Sequence, residues 1–323
     1  MRAITVEGPD QLQWREVPEP ILGPGEVLIR VAAAGVNRAD LLQAAGHYPP
    51  PPGASEILGM EAAGTIAAIG DQVSGWSVDQ PVCALLAGGG YAQYVAVPAG
   101  QLLPIPAGVD PVAAAGLPEV ACTVWSNLVM AAGLYAGQTL LIHGGASGVG
   151  SHAIQVAREL GARVAVTAGS AEKLSLCAEL GAEILINYRD DDFVARLTEA
   201  GGADLILDII GADYLDRNLT ALAPDGQLVV IGMQRGVKGQ LNLGTLIGKR
   251  ARIIGTALRG RPLDGPNGKA AIVAAVTERV WPLIAEGRVR PVIGAQRPVE
   301  QAGEAHELLA SGAVAGKVVL TVS

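Results

Sequence analysis

The stretch His143-Gly144-Gly145-Ala146-Ser147-Gly148-Val149-Gly150 carries the residues best suited to chemistry. It follows a strand-like run, Thr139-Leu140-Leu141-Ile142, and opens a helix-like one over residues 147–160. A glycine turn there lets the backbone approach a pyrophosphate, whose charge the amides and the positive end of the next helix stabilise. In a dinucleotide fold the second strand ends about 20 residues past that turn, and the residue at its tip selects the cofactor. Here Val164-Ala165-Val166-Thr167 runs into Ala168-Gly169-Ser170-Ala171-Glu172-Lys173, with no carboxylate at the tip. Ser170 and Lys173 suit a ribose 2′-phosphate, so NADPH (NADP) is the expected cofactor; Glu172 is expected to turn away from the face carrying Lys173. Tyr188, just after the third strand, is placed to lie against the adenosine phosphate. Taken singly, Lys173 is an ordinary helix lysine and Tyr188 an ordinary strand-end aromatic; their distance from the turn makes them cofactor candidates.

Neighbouring chemistries lack their motifs. None of the six tyrosines has a lysine four residues on, which a short-chain dehydrogenase needs. Ser147 lies in Gly-Ala-Ser-Gly-Val, not in the Gly-x-Ser-x-Gly of a nucleophile elbow. There is no Gly-x-x-x-x-Gly-Lys-[Ser/Thr] for a nucleoside triphosphate. Hydride transfer is the chemistry left.

The elements that must position these residues fall into two rhythms. Residues 3–6, 26–34, 64–69, 81–86 and 91–98 are short β-like runs between Pro and Gly punctuation, as in a barrel-like β domain that Pro104-Ile105-Pro106 closes. Residues 111–133 are alanine-rich and helical. Strands at 140–143, 163–167, 184–187, 204–208, 227–231 and 251–256 then alternate with helices at 147–160, 171–180, 191–200 and 214–222. Val149, Ala153, Val156 and Leu160 recur at helical spacing and should face the sheet. Apolar strands with crossover helices predict a doubly wound parallel sheet, an α/β fold. Helices at 270–286 and 299–311 and a strand at 316–322 follow.

Composition narrows the setting. The 323 residues allow two domains, and the net charge of −8 argues against nucleic acid as a partner. No uninterrupted apolar run is long enough for a bilayer, and the first eight residues show no secretory signal, so a cytoplasmic protein without a membrane partner is expected. Cys83, Cys122 and Cys177 form no CxxC or disulfide pattern, and His47, His143, His152 and His306 have no metal-ligand spacing.

With the β domain first, the dinucleotide sheet second and a short return after it, the chain resembles the medium-chain dehydrogenases/reductases. Within them it is similar to the zinc-independent, zeta-crystallin-like quinone oxidoreductases, above all the tumour-suppressor-inducible NADPH:quinone oxidoreductase type. The carriers, besides the glycine turn and Thr167-Ala168-Gly169-Ser170, are three segments. They are Ala34-Gly35-Val36-Asn37-Arg38-Ala39-Asp40, Gly46-His47-Tyr48 with the proline run to Gly53, and Leu58-Gly59-Met60-Glu61-Ala62-Ala63-Gly64. The resemblance implies a GroES-like β-barrel catalytic domain (1–115), a Rossmann NADP-binding domain (116–262) and a C-terminal segment (263–323) completing the first. It implies a homodimer joined near residues 251–257 and a small-molecule partner, a quinone or conjugated carbonyl.

Zinc-dependent relatives place a cysteine where this chain has Asn37 and a histidine where it has Met60, so no metal is expected here. Without a Lewis acid, alcohol oxidation loses its alkoxide stabiliser. By the same resemblance Asn37 and Tyr48 lie beside the nicotinamide and substrate, and Thr123 lies near the nicotinamide. Ser147, Gly148 and Val149 hold the pyrophosphate, and Gly169, Ser170, Lys173 and Tyr188 the 2′-phosphate side. Gly232, Met233 and Leu258 line the nicotinamide side. Two alternatives stay open: an alkenal or enone reductase on the same scaffold, and a noncatalytic NADPH-binding protein.

Overall fold

The structure, a computed structural model, describes residues 1–8 and 11–323. The chain separates into two compact units, Met1–Cys122 with Leu258–Ser323, and Thr123–Ala257. The resemblance implies changes at 115/116 and 262/263, whereas the units divide at 122/123 and 257/258. The first division falls inside a helix, Pro118–Val124, where no Pro or Gly marks it.

The first unit begins with a two-stranded antiparallel pair, β1 (Arg2–Gly8) and β2 (Gln11–Glu16). Next come β3 (Glu26–Val36), β4 (Glu61–Ile69), β5 (Pro81–Leu85), β6 (Tyr94–Pro98) and β7 (Leu102–Pro104). β3 is the organising strand: its inward residues Val27, Ile29 and Val31 are buried at alternate positions, the period of a half-buried strand. One edge of β3 pairs β4 along most of its length, and the other pairs β6 over residues 26–30.

The second unit is a six-stranded parallel sheet: β8 (Thr139–His143), β9 (Arg163–Ala168), β10 (Ile184–Asn187), β11 (Ala203–Asp208), β12 (Leu222–Val230) and β13 (Arg252–Gly255). The order β10-β9-β8-β11-β12-β13 reverses direction between β8 and β11, the doubly wound arrangement. Strands buried on both faces explain the continuous Leu and Ile at the centre of β8 and β11. The helix Gly148–Glu159 after β8 is buried on every side from Gly150 to Ala157. Val149 and Leu160, expected on its sheet face, lie at its two ends and are only half-buried.

The chain then returns to the first unit. β14 (Ile293–Pro298) pairs in parallel with β15 (Lys317–Thr321), which pairs antiparallel with residues 33–36 of β3. The larger sheet thus reads β14-β15-β3-β4-β5-β7, with β6 on β3.

The helical run Pro111–Ala131 is by length and composition apolar enough to cross a membrane. Glu119, Ser126 and Asn127 interrupt it in sequence, and 78% of it is buried within the protein, as in a core helix.

Candidate functional site

In the first unit, strand register brings three distant segments to one place. Ala34 pairs Ala62, which sets Gly35 beside Glu61; Val36 pairs Val318, which sets Asn37 beside Lys317. The Lys317 ammonium lies 2.5 Å from Glu61 Oε1 and donates to Asn37 Oδ1 at 2.7 Å and to the Val36 carbonyl at 3.2 Å. Asn37 Nδ2 donates to Glu61 Oε1 at 2.9 Å, and the Glu119 amide donates to Glu61 Oε2 at 2.9 Å. Glu61 is fully buried, and only 6% of the Lys317 side chain is exposed, whereas Asn37 is half-buried. A Cβ at position 35 would overlap the Glu61 carboxylate, so only glycine leaves room for this charge.

Asn37 also caps the helix Arg38–Ala44: its backbone N–H donates to Asp40 Oδ2 at 2.8 Å. Asp40 Oδ1 accepts from the Gly59 amide at 3.0 Å, and Tyr91 reaches Oδ2 at 3.4 Å. Burial pushes the Asp40 carboxyl up to about 6, although the two amides and Lys317 pull the other way.

Tyr48 stands apart from this cluster in its partners. Arg259 lies over its ring at 5.2 Å from the centroid and donates to its carbonyl at 3.3 Å. Arg259 also binds the Ala87 carbonyl at 2.7 Å and Gln43 Oε1 at 2.6 Å, and is itself buried. Burial raises the Tyr48 phenol above its usual range, with Arg259 opposing.

In the second unit, Ser147 caps the helix by accepting from the Gly150 amide at 3.0 Å, and Gly144 adopts φ +71°. A Cβ at Gly150 would lie 2.6 Å from the Gly145 carbonyl oxygen, so the helix and turn touch through backbone alone. The Gly148 and Val149 amides belong to the first turn, whose N–H groups have no acceptor within the helix. Beneath the turn runs a buried relay. The Gly144 amide donates to Thr167 Oγ1 at 3.3 Å, which pairs His143 Nδ1 at 3.1 Å; His143 Nε2 pairs Asn218 Oδ1 at 2.8 Å. Burial lowers His143 to about 4, which keeps the ring neutral as the relay requires.

At the adjoining strand tip, the structure brings Gly169, Ser170, Lys173 and Tyr188 together. Tyr188 packs so closely on Gly169 that a Cβ there would overlap its hydroxyl. Ser170 caps its helix by accepting from the Lys173 amide at 3.4 Å. The exposed Glu172 carboxylate folds back on its own amide and the Ser170 hydroxyl, and these hold it below its ordinary range.

The remaining expected residues are dispersed. Thr123, buried, opens the second unit and accepts from Asn127 Nδ2 at 2.8 Å through its carbonyl. Gly232 and Met233 follow β12; Met233 is exposed. Leu258 belongs to the first unit, not to the dinucleotide sheet. Sequence reasoning gave no role to Glu61, Lys317, Asp40 or Arg259. The signal was present: Glu61 and Lys317 are lone charges opening apolar strands, where an unpaired charge is not tolerated. Among the described residues no group of three or more His, Cys, Asp or Glu is placed to hold a metal ion.

Two protein families match the chain: residues 23–107 fit the alcohol dehydrogenase GroES-like domain and residues 148–274 the zinc-binding dehydrogenase. A quinone oxidoreductase of Rattus norvegicus is 32% identical over 99% of this chain and 97% of its own length. The structure of the Escherichia coli quinone oxidoreductase complexed with NADPH superposes with a TM-score of 0.88 at 28% identity, covering 99% of this chain and 98% of that one. An NAD-dependent alcohol dehydrogenase structure superposes at 0.86 with 30% identity, covering both chains in full.

Proposed function

The chain belongs to the quinone oxidoreductase family of the medium-chain dehydrogenases/reductases, and on that premise we propose that it is an NADPH:quinone oxidoreductase. The observation that carries this is likeness to quinone oxidoreductases along essentially the whole of both chains. A likeness confined to the dinucleotide sheet would leave the acceptor open.

The second unit fits the cofactor. The turn at 144–150 leaves no room for a Cβ at Gly150, as a backbone cradle for a pyrophosphate requires. Ser147, Gly148 and Val149 would hold the pyrophosphate; Gly169, Ser170, Lys173 and Tyr188 the 2′-phosphate and adenosine; Thr123, Gly232, Met233 and Leu258 the nicotinamide side. NADPH, when bound, supplies a hydride. The relay through Thr167 and His143 keeps the turn rigid, so that its amides need no reorganisation on binding. Asn37 and Tyr48 offer an amide and a phenol to the acceptor's oxygens or to the carboxamide. Orientation is their contribution, because a quinone is already electron-poor.

The reaction we infer uses no catalytic metal. Asn37 and Met60 are poor zinc ligands, and the Asn37 amide is already bound to an ammonium and a carboxylate. The same residues disfavour alcohol oxidation, despite the likeness to an alcohol dehydrogenase. Of the subgroups, the tumour-suppressor-inducible type accords best with Gly46-His47-Tyr48 and its proline run. We assign a homodimer through the edge strand β13, on which Ile253 is exposed, as are Leu243 and Ile247 of the helix just before it in the chain. Sedimentation would test it, and a monomer at micromolar concentration would refute it.

The test of function is NADPH oxidation against a panel of quinones and enones. Turnover with quinones is expected. Turnover confined to enones would make it an enone reductase, and tight NADPH binding with no turnover a noncatalytic binder.

A further inference from the structure

Lys317 and Glu61 form a buried ion pair, and Asn37, the side chain bonded to both, is half-exposed. An Asn amide has two N–H donors and two acceptor lone pairs, and solvent alone does not choose which way it faces. Here the choice is forced. Lys317 binds Oδ1 and Glu61 binds Nδ2, so a flipped amide would set NH₂ against an ammonium and oxygen against a carboxylate. One N–H and one lone pair stay uncommitted to this pair.

The arrangement is expensive for a fold. Two buried charges contribute less to stability than a well-packed apolar pair of the same volume. The chain nevertheless gives both Glu61 oxygens partners, in Lys317, Asn37 and the Glu119 amide, and keeps glycine at position 35 to admit the carboxylate. Stability alone does not call for such a construction; orienting the amide does. The ammonium also draws electron density from Oδ1, which strengthens the uncommitted N–H as a donor.

We propose that Lys317, with Glu61, is a positioning residue for hydride transfer, holding the Asn37 amide so that one N–H meets an oxygen of the quinone or of the nicotinamide carboxamide. This rests on the reading that Asn37 serves the reaction.

The experiment compares Asn37→Ala, Glu61→Asp, the uncharged pair Lys317→Met/Glu61→Gln, and that pair combined with Asn37→Ala. Melting temperature, NADPH Kd by fluorescence titration, and kcat with a quinone are measured for each. The uncharged pair is expected to melt near the parent and to bind NADPH equally, yet to lose kcat roughly tenfold or more, as when one oriented donor is removed. Adding Asn37→Ala to it should cost nothing further. Glu61→Asp keeps both charges but withdraws the carboxylate, and should lower kcat several-fold at unchanged Kd even if the uncharged pair fails to fold. Full kcat in the uncharged pair or in Glu61→Asp, or a further additive loss on adding Asn37→Ala, would overturn the proposal. Full kcat in Asn37→Ala alone would instead overturn the role of Asn37 beneath it.

Discussion

Glu172 stands where the 2′-phosphate of NADPH is proposed to bind, its carboxylate on the Ser170 hydroxyl. Two anions cannot share that helix cap, so cofactor entry must displace it. Glu172→Gln is expected to tighten NADPH by a few-fold, the scale of one exposed charge contact, and to leave NADH unchanged. Lys173→Ala should weaken NADPH selectively; equal changes for both cofactors in fluorescence titration would contradict a 2′-phosphate contact. Asp40 makes a different statement, about stability. Its carboxyl sits at about 6 in the fold against an ordinary 3.8, so the folded protein holds a proton that the unfolded chain has released between those values. Its contribution is therefore favourable at low pH and is lost as pH rises from about 4 to about 6. Asp40→Asn removes this dependence. Denaturant titrations should show the parent losing roughly 3 kcal/mol relative to the variant across that window, because one bound proton is worth about 1.4 kcal/mol for each pH unit between the two values. A constant difference would mean that Asp40 is ionised throughout. At this scale the sequence was legible where motifs are contiguous, as at the glycine turn and Ser170. It was silent about Lys317, which meets Asn37 across 280 residues and is disclosed only by strand register.

Among the elements, all six strands of the parallel sheet were readable as short apolar runs bounded by helical periodicity, the inner ones because they are buried on both faces. The first unit was less so. β2 and β14 bury no residue fully and carry few apolar side chains, and β7 is three residues long, so none stands out as an apolar run. The helix Arg38–Ala44 buries only Asp40 and Ala44 and owes its start to the Asn37–Asp40 cap. Helical residues 270–286, which read as one element, are two, Lys269–Arg279 and Trp281–Ala285, broken ahead of Pro282. The most exacting element is β3, which must be smooth at Gly35 for Glu61 to fit. Gly35→Ala is expected to cost roughly 3 kcal/mol or more, as breaking a buried charge pair does. Ala at the exposed Gly255 of β13 meets nothing within 4 Å and should change stability little by comparison. Chemical denaturation of both variants would show it, and equal stabilities would mean that β3 yields more easily than a paired strand should.

At the scale of the molecule, a complete dinucleotide sheet, Thr123–Ala257, is inserted within the chain of the other unit. Ligand linkage should respect that division. NADPH at a hundredfold its Kd is expected to stabilise by about 2.7 kcal/mol. Hydrogen exchange should slow chiefly at the turn, β8 and β9; uniform slowing over both units would argue that they unfold as one. The insertion also sets an order of assembly. Glu61 leaves the ribosome long before Lys317, with the whole inserted unit translated between them. Until then the buried carboxylate has no counter-ion, and the groove left beside β3 has no β15 to fill it. The first unit can close its larger sheet only once β15 has been made, whereas the dinucleotide unit is translated with every strand it needs before that. In this protein the part made first is completed last.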